Sequence, residues 1–373
     1  MMNQFFLLFT PFEWWFIGVV FTLFIIITLY QIILYRQPAR KRNRAPVTED
    51  DLLPSVSVVL CATNEYKMLR RLLPILLEQA YPRYEVVVVN DRSEDNSEIL
   101  LHTFQEKHPH LQVRTTSTDD RFGRSPALAL GMAIRAAQYD TILCIEADCQ
   151  ITDNQWIRSM ATYYGGETEM VLGYTTHHRC SLFTRCDFLQ HALHFMGRAA
   201  IRRPYTCFGS NLLFKKSLFY SNNGLNVRLT RDHFPLRVFF SEVANRNNCR
   251  ICTHPSGVTH SRIKLDRPMR KLYRKMEKRS LALSPKGSRY PLLFESTLRL
   301  IFYITTCCAI ALFYDKLELF IFFSFLLLLR PVSVLLLYIG VRKRLNDKGL
   351  AIPFICWDFI FPVIHLFRFI RLR

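Results

Sequence analysis

The sequence predicts an α/β domain with a mostly parallel sheet, held between hydrophobic helices at both ends of the chain. Between residues 55 and 147, short apolar runs alternate with segments of helical periodicity. A long apolar segment precedes this region, and further apolar segments follow near the C-terminus. The 373 residues are enough for one domain of ordinary size plus membrane segments.

The composition favours a membrane protein. Half of the residues are hydrophobic, yet the formal net charge is +19. A membrane protein combines these features easily, because apolar residues lie in lipid while charges collect at one face. Nucleic acid is the other obvious partner of a basic chain. We expect no nucleic-acid binding, because the basic residues cluster beside apolar segments and no recognised motif is present.

The segment from Phe12 to Tyr35 is nearly uninterrupted apolar sequence, and a bilayer is spanned by ~20 residues. A signal peptide is disfavoured because the charges follow the apolar run instead of preceding it. The basic residues that follow are Arg36, Arg40, Lys41, Arg42 and Arg44. The positive-inside rule therefore predicts an external N-terminus and a cytoplasmic location for the chain after Arg36.

Two apolar stretches near the C-terminus, Leu298–Tyr314 and Leu319–Gly340, predict a membrane-spanning helical hairpin. The hairpin would return to the cytoplasm at the basic loop Val341–Gly349. Arg330 interrupts the second arm; an intramembrane arginine indicates either a function or structural pairing within the bundle. If the last stretch, Leu350–Phe367, spanned the membrane, the three arginines that follow would lie on its external side. A re-entrant or interfacial helix is therefore predicted.

The middle of the chain contains alternating strand and helix candidates. The predicted strands are Ser55–Ala62, Glu85–Asn90, Leu111–Thr116 and Thr141–Ala147. The predicted helices are Glu65–Gln79, Glu94–Lys107 and Arg124–Gln138. Strands separated by helices of this length imply a parallel sheet with right-handed crossovers.

Polar residues follow three of the predicted strands. They are Asn64 and Glu65 after the first, Asp91 after the second, and Glu146 and Asp148 at the end of the fourth. Parallel sheets bind ligands beyond the carboxyl ends of their strands, and converging carboxylates repel one another unless a cation or a donor-rich ligand shares the site. Alternatively, Asp91 and Asp148 merely cap the helices that follow them.

Several segments together carry a family resemblance. They are CATNE at 61–65, QAYPRYEVVVVNDRSED at 79–95, GRSPALALG at 123–131, EADC at 146–149 and PYTCFGSNLLFKKSLF at 204–219. They resemble the family 2 glycosyltransferases, which have the Rossmann-like GT-A fold, over roughly residues 54–302. The order of span, transferase domain and hairpin is similar to that of the membrane-attached branch of this family.

The resemblance and the hydropathy together predict four regions. Residues 1–46 form an N-terminal transmembrane helix with a basic linker, and residues 54–260 form the GT-A domain. Residues 261–296 form a basic amphipathic segment that would lie on anionic lipid headgroups. Residues 297–373 form the C-terminal hairpin and the re-entrant or interfacial helix.

The resemblance also implies roles for the polar residues. Asp91 would accept hydrogen bonds from the nucleotide base, with Asn64 and Glu65 lining the same pocket. Glu146 and Asp148 stand where the family has D-x-D. Glu146 would face the ribose or the metal, and Asp148 would bind the Mg²⁺ or Mn²⁺ ion that bridges the diphosphate. In addition, Arg124 would assist the phosphates and Arg279 would lie over the diphosphate.

Three elements depart from the family pattern. Glu146 replaces the first aspartate of D-x-D, and only Arg279 remains of the Q-x-x-R-W-like element. A gapless register puts Phe234–Arg237, without a carboxylate, at the position of the catalytic base. A two-residue insertion instead brings Thr230–Asp232 into register, which makes Asp232 the candidate base.

The function implied is that of a multi-pass cell-membrane, metal-dependent inverting glycosyltransferase with its catalytic domain in the cytoplasm. It would move a sugar from a nucleotide-sugar donor to a lipid-linked or envelope glycan acceptor. The three departures leave an alternative, a non-catalytic transferase-like scaffold or partner of another membrane enzyme.

Overall fold

The computed structural model describes residues 9–39, 52–116, 125–222, 235–264, 271 and 290–370. The strands are β1 (Val56–Ala62), β2 (Tyr84–Asn90), β3 (Leu111–Thr115), β4 (Thr141–Ile145), β5 (Cys149–Ile151), β6 (Met170–Leu172), β7 (Thr175–His177), β8 (Asn211–Lys215), β9 (Cys249–Ile251) and β10 (Thr259–Ser261). The helices are α1 (Pro11–Ala39), α2 (Tyr66–Leu77), α3 (Ser97–Lys107), α4 (Pro126–Ala136), α5 (Trp156–Ala161), α6 (Leu182–Ala200), α7 (Lys216–Ser221), α8 (Pro235–Val243), α9 (Tyr290–Leu312), α10 (Leu317–Leu345) and α11 (Ala351–Ile370).

The larger sheet has seven strands in the order β3-β2-β1-β4-β8-β6-β9. Its first four strands are parallel, as predicted, whereas β8 runs antiparallel to both β4 and β6. Strands β1, β2 and β4 are mostly apolar and buried along almost their whole length, as expected where helices cover both faces of the sheet. The mixed α/β fold with a mostly parallel sheet is therefore confirmed.

A second sheet of three short strands, in the order β5-β10-β7, was not predicted. Strands of three residues are too short to show a periodicity in the sequence. The side chain of Asn211 links the two sheets, because its amide nitrogen lies 3.0 Å from the carbonyl oxygen of Tyr174 and 2.8 Å from that of Gly257. Its Oδ1 accepts a hydrogen bond of 3.3 Å from Trp156 Nε1. This buried amide fixes the second sheet against β8.

The two faces of the large sheet pack into separate cores. Helices α2, α3 and α5 cover one face. Helices α4, α6 and α8 cover the other, and that core continues into α1, α10 and α11. Gly197 of α6 lies directly on α1, since an added Cβ would come within 2.4 Å of the carbonyl oxygen of Leu34. The α/β domain and the terminal helices therefore share one hydrophobic core.

Among the residues that the structure describes, three helical segments are long and apolar enough to cross a membrane, judged by length and composition. They are Pro11–Pro38, Leu293–Leu312 and Leu317–Leu345. The apolar helices expected at both ends of the α/β domain are thus present, and α9 and α10 are the arms of the predicted hairpin. The last predicted segment forms α11, whose position relative to a bilayer stays a prediction.

Buried charged and polar side chains connect these four terminal helices. Arg330 on α10 donates two hydrogen bonds of 2.9 Å to the carboxylate of Asp358 on α11. Arg299 on α9 pairs with the same carboxylate at 3.0 Å and with Glu295 one turn earlier. The hydroxyl of Tyr35 on α1 donates to Glu295 at 2.6 Å. Of the two interpretations of Arg330, structural pairing is the one that these contacts support.

The predicted amphipathic segment 261–296 lies largely outside the described residues. The division of the chain into four regions at residues 46, 54, 260 and 296 stays a prediction.

Candidate active site

The carboxyl ends of β1, β2 and β4 bring together most of the predicted site residues. Glu65 lies between β1 and α2, Asp91 directly follows β2, and Glu146 and Asp148 follow β4. A tight turn after β4, in which the amide of Cys149 donates to the carbonyl of Glu146 at 3.0 Å, brings the two acidic side chains together. This is the edge at which parallel sheets bind ligands.

Glu146, Asp148 and Cys149 form a compact group of possible metal ligands. One ligand atom from each lies within 4.8 Å of the others. Asp148 is buried, and its Oδ2 accepts hydrogen bonds from the Ser261 hydroxyl and, at 3.3 Å, from the backbone amide of Ile263. Pairing of Cys149 with Ser261 across β5 and β10 creates these contacts, so the second sheet orients Asp148.

The carboxylates of this site disfavour one another's ionisation. Burial raises the pKa of Glu146, and the charges of Asp148 and Glu65 raise it further. Burial also raises the pKa of Asp148, against the hydrogen bonds from Ser261 and Ile263 that favour its ionised form. Burial and the charge of Asp148 raise the pKa of Glu65 to about 7. A bound cation would relieve this repulsion.

The donor set fits a hard divalent cation. Glu146 and Asp148 offer carboxylate oxygens, which Mg²⁺ and Mn²⁺ prefer. Burial and the charge of Asp148 raise the pKa of the Cys149 thiol well above its ordinary value. The sulfur therefore remains protonated and is a poor ligand, since a thiolate is the form that binds metals. Two carboxylates leave coordination positions for the oxygens of a ligand.

Asp91 and Asn64 occupy neighbouring loops at the same edge. The buried carboxylate of Asp91 accepts a 2.8 Å hydrogen bond from the hydroxyl of Thr116 and lies 3.6 Å from Arg92 Nε. Asn64 is exposed and has a left-handed backbone with φ of 57°. Its Oδ1 accepts from the amide of Glu94 at 2.7 Å. Asn64 thus joins the two loops, while Asp91 lies deeper between β1 and β3.

Neither predicted aspartate serves as a helix cap. The N-cap residue of α3 is Asn96, and that of α5 is Gln155. The described hydrogen bonds of Asp91 and Asp148 go instead to Thr116 and to Ser261 and Ile263. These bonds hold both carboxylates in the site without involving a helix end, so the capping alternative is wrong.

Two buried side chains, one of which acts on the charge of Glu146, were not proposed as site residues from the sequence. Arg237, in the first turn of α8, donates from Nε to the carbonyl of Cys207 at 2.9 Å and lies 5.3 Å from the ring centroid of Phe208. Its charge opposes the rise in the pKa of Glu146. His177 of β7 packs 6.0 Å from the same ring. A gapless alignment pointed to the position of Arg237, but a lone arginine gave no functional signal.

Three predicted site residues lie outside the described residues. They are Arg124, Asp232 and Arg279. Their predicted roles toward the phosphates, the acceptor proton and the diphosphate stay predictions.

The acidic site makes the stability of the metal-free protein depend on pH. Because the pKa of Glu65 is raised to about 7 from 4.5, the folded state is disfavoured as pH rises through that value. Glu65→Gln should therefore stabilise the EDTA-treated protein by about 1–3 kcal/mol at pH 8 and have little effect at pH 5. Thermal unfolding at both values measures this, with the exposed Glu106→Gln as control. Equal effects of Glu65→Gln at pH 5 and pH 8 would contradict the assignment.

Comparison with known proteins identifies the class. Residues 57–219 match the family model "Glycosyl transferase family 2". This segment contains all but the first residue of β1, the strands β2 to β8 and every described carboxylate of the site. The chain therefore carries a family 2 glycosyltransferase domain with the GT-A fold.

The chain is similar to poly-beta-1,6-N-acetyl-D-glucosamine synthases. It is 27% identical to that of Staphylococcus epidermidis strain ATCC 35984 over 152 residues, which are 40% of this chain and 33% of the relative. It is 29% identical to that of Staphylococcus aureus strain COL over 106 residues, 28% of this chain and 24% of the relative. The match thus spans about a third or less of the length of these relatives.

A similar solved structure is that of the mannosyltransferase PcManGT from Pyrobaculum calidifontis, in complex with GDP-Man and Mn²⁺. The similarity covers 92% of this chain and 99% of the mannosyltransferase, with a TM-score of 0.56 and 18% identity. At this identity the likeness establishes the fold. With 92% of the chain covered, the likeness extends beyond residues 57–219.

Proposed function

We propose that this protein is a membrane-bound, metal-dependent inverting glycosyltransferase. It moves a sugar from a nucleotide-sugar donor to a lipid-linked or envelope glycan acceptor. The observation that carries the proposal is the pair Glu146 and Asp148 at the carboxyl end of β4, within a family 2 domain and beside Glu65 and Asp91.

The donor site is proposed at the edge formed by β1, β2 and β4. Asp91 receives the nucleotide base there, because its carboxylate is held at the crevice by Thr116. Glu65 and Asn64 line the same pocket, and Arg124 contacts the phosphates. The resemblance to a mannosyltransferase solved with GDP-Man supports a nucleotide-sugar donor. The similarity to poly-beta-1,6-N-acetyl-D-glucosamine synthases supports a glycan as the acceptor.

Glu146 and Asp148 would hold the divalent cation, Mg²⁺ or Mn²⁺. When bound, such an ion neutralises charge on the diphosphate of the donor. Ser261 and Ile263 keep the carboxylate of Asp148 oriented toward this position. Arg279, outside the described residues, is proposed to contribute a further positive charge near the diphosphate.

Inversion requires one displacement at the anomeric carbon. The acceptor hydroxyl forms the new bond to that carbon from the side opposite the nucleoside diphosphate, which leaves with the bonding electron pair. A general base removes the hydroxyl proton. We propose Asp232 as that base, following the register with the two-residue insertion.

Membrane attachment supports the proposed acceptor and location. α1, α9 and α10 have the length and composition of membrane spans, and α6 packs on α1 at Gly197. The domain is therefore held beside the membrane, where lipid-linked acceptors occur. The basic residues after the first span and at the end of α10 favour a multi-pass protein of the cell membrane with a cytoplasmic domain.

One observation favours the alternative of a non-catalytic scaffold. Pro235, Leu236 and Arg237 form the first turn of α8, at the base position in the gapless register. None of the three accepts a proton at neutral pH. Under this alternative the protein binds nucleotide but transfers no sugar.

The Asp232→Asn variant distinguishes an active glycosyltransferase from a non-catalytic scaffold. We expect the full-length protein in detergent micelles to transfer or slowly hydrolyse one of several labelled nucleotide sugars. Asp232→Asn should lower this turnover by at least about 100-fold, the usual range for loss of a general base. It should leave nucleotide affinity within a few-fold of the wild type.

The exposed Asp140→Asn serves as the matched control and should retain full turnover. Wild-type turnover that survives Asp232→Asn would remove Asp232 as the base. Tight nucleotide binding without turnover of any donor would favour the scaffold.

A further inference from the structure

A pair of histidines lies on the second sheet, away from the carboxylate site. β10 pairs with β7 so that His260 lies opposite Thr176, while Ser261 lies opposite His177. Because side chains alternate along a strand, His260 and Ser261 point to opposite faces of this sheet. Ser261 contacts Asp148 on one face. The histidine pair occupies the other face.

One ring nitrogen of each histidine and the hydroxyl of Thr176 lie close together. His178 Nε2 and His260 Nδ1 are 3.3 Å apart. The Thr176 hydroxyl oxygen lies 3.0 Å from the first and 2.6 Å from the second. The two rings are stacked, with their centroids 5.4 Å apart. The three atoms therefore lie within 3.3 Å of one another, and the single proton of the hydroxyl is donated to one nitrogen at a time.

We propose that His178 and His260 form a binding site for a divalent transition-metal ion of the zinc type. Zinc–nitrogen bonds of about 2.0–2.1 Å at a tetrahedral angle separate two imidazole nitrogens by about 3.3–3.4 Å. The spacing found between His178 Nε2 and His260 Nδ1 is 3.3 Å. Solvent would fill the remaining positions, and the ion would replace the hydrogen bonds that the two nitrogens make with Thr176.

The chemistry of this pair differs from that of the carboxylate site. Imidazole nitrogen suits Zn²⁺, Ni²⁺ and Cu²⁺, whereas carboxylate oxygen suits Mg²⁺ and Mn²⁺. His178 is exposed and His260 is half-buried, so an ion has access from solvent. The two sites are therefore expected to select different ions.

Charged side chains near the histidine pair are expected to give it a modest affinity for a metal ion. Asp347 attracts a cation, whereas Arg185 and Arg262 repel it. Asp347 is already held by Arg185 at 2.6 Å and by the hydroxyl of Tyr174 at 2.8 Å. It follows α10, so an ion at the histidine pair lies at the junction of the second sheet with the hairpin. With two imidazole ligands, we expect micromolar binding.

Calorimetric titration with zinc chloride tests the site. The protein is the tag-free full-length chain in detergent, carrying Asp148→Asn so that the carboxylate site contributes little. We expect His178→Ala and His260→Gln each to weaken the binding of one Zn²⁺ by at least about 10-fold. His260→Gln retains a polar partner for Thr176, and an unchanged elution volume in size exclusion shows that each variant is folded.

His108→Ala is the matched control. His108 and His110 form another close pair of rings, but their planes are nearly perpendicular, with centroids 5.8 Å apart. Zinc affinity should be unchanged in this variant, and manganese chloride should not occupy the pair at His178 and His260. The proposal is overturned if zinc affinity and stoichiometry are the same in His178→Ala and His260→Gln as in their parent. Equal loss in His108→Ala would also overturn it, by indicating general surface binding.

Discussion

Asp148→Asn is expected to abolish the metal-dependent part of nucleotide binding. Asp148 is the buried carboxylate that Ser261 and Ile263 orient toward Glu146. An amide keeps the shape and can still accept both hydrogen bonds, but it lacks the negative charge that a hard cation requires. In the presence of Mn²⁺, the affinity for a nucleoside diphosphate should fall by more than about 100-fold. Titration calorimetry with and without Mn²⁺ measures this loss.

Cys149→Ala is the internal control for this experiment. Cys149 belongs to the same compact group of side chains, but its protonated sulfur is a poor ligand for Mn²⁺. The variant should retain manganese-dependent binding within a few-fold. Equal wild-type affinity with and without Mn²⁺ would contradict the metal assignment, as would an unaffected Asp148→Asn variant.

Asp358→Ala is expected to destabilise the terminal helices strongly. Asp358 pairs with both Arg330 and Arg299, and all three side chains are buried. Removing the carboxylate leaves two guanidinium groups with less compensation in a buried region, which costs about 3–5 kcal/mol when a buried pair is broken. Thermal unfolding of the detergent-solubilised protein should shift downward by roughly 5–15 °C.

Asp358→Asn should cost less, because the amide still accepts hydrogen bonds from Arg330. Asp315→Asn, in the exposed turn between α9 and α10, should leave the unfolding temperature unchanged. If Asp358→Ala unfolds at the wild-type temperature, the buried network does not hold α9, α10 and α11 together.

The parallel half of the large sheet could be predicted because local signals are strong there. Runs such as the four consecutive valines of β2 indicate strands buried on both faces, and the intervening periodic segments indicate helices. The chain direction and right-handed crossovers then bring the ends of β1, β2 and β4 together. Glu65, Asp91, Glu146 and Asp148 consequently meet at one edge, as the sequence indicated.

The second sheet could not be predicted, because three-residue strands carry no readable pattern. The contacts that this sheet makes with the site residues could not be predicted for the same reason. Ser261 lies 113 positions from Asp148 in the chain, yet it orients that carboxylate through the pairing of β5 with β10. The convergence of His178 and His260 depends on the neighbouring pairing of β10 with β7.

The apolar spans and their flanking charges were readable from composition, because a bilayer requires long uninterrupted apolar segments. The partner of Arg330 could not be predicted, because Asp358 lies on another helix. An intramembrane arginine is by itself consistent with either a function or structural pairing. The sequence by itself determined the fold class, the terminal helices and the acidic edge of the sheet, because these depend on local periodicity and chain order. Only the tertiary structure decided which charges pair, how Asp148 is oriented and where α6 meets α1, because such contacts join residues far apart in the chain.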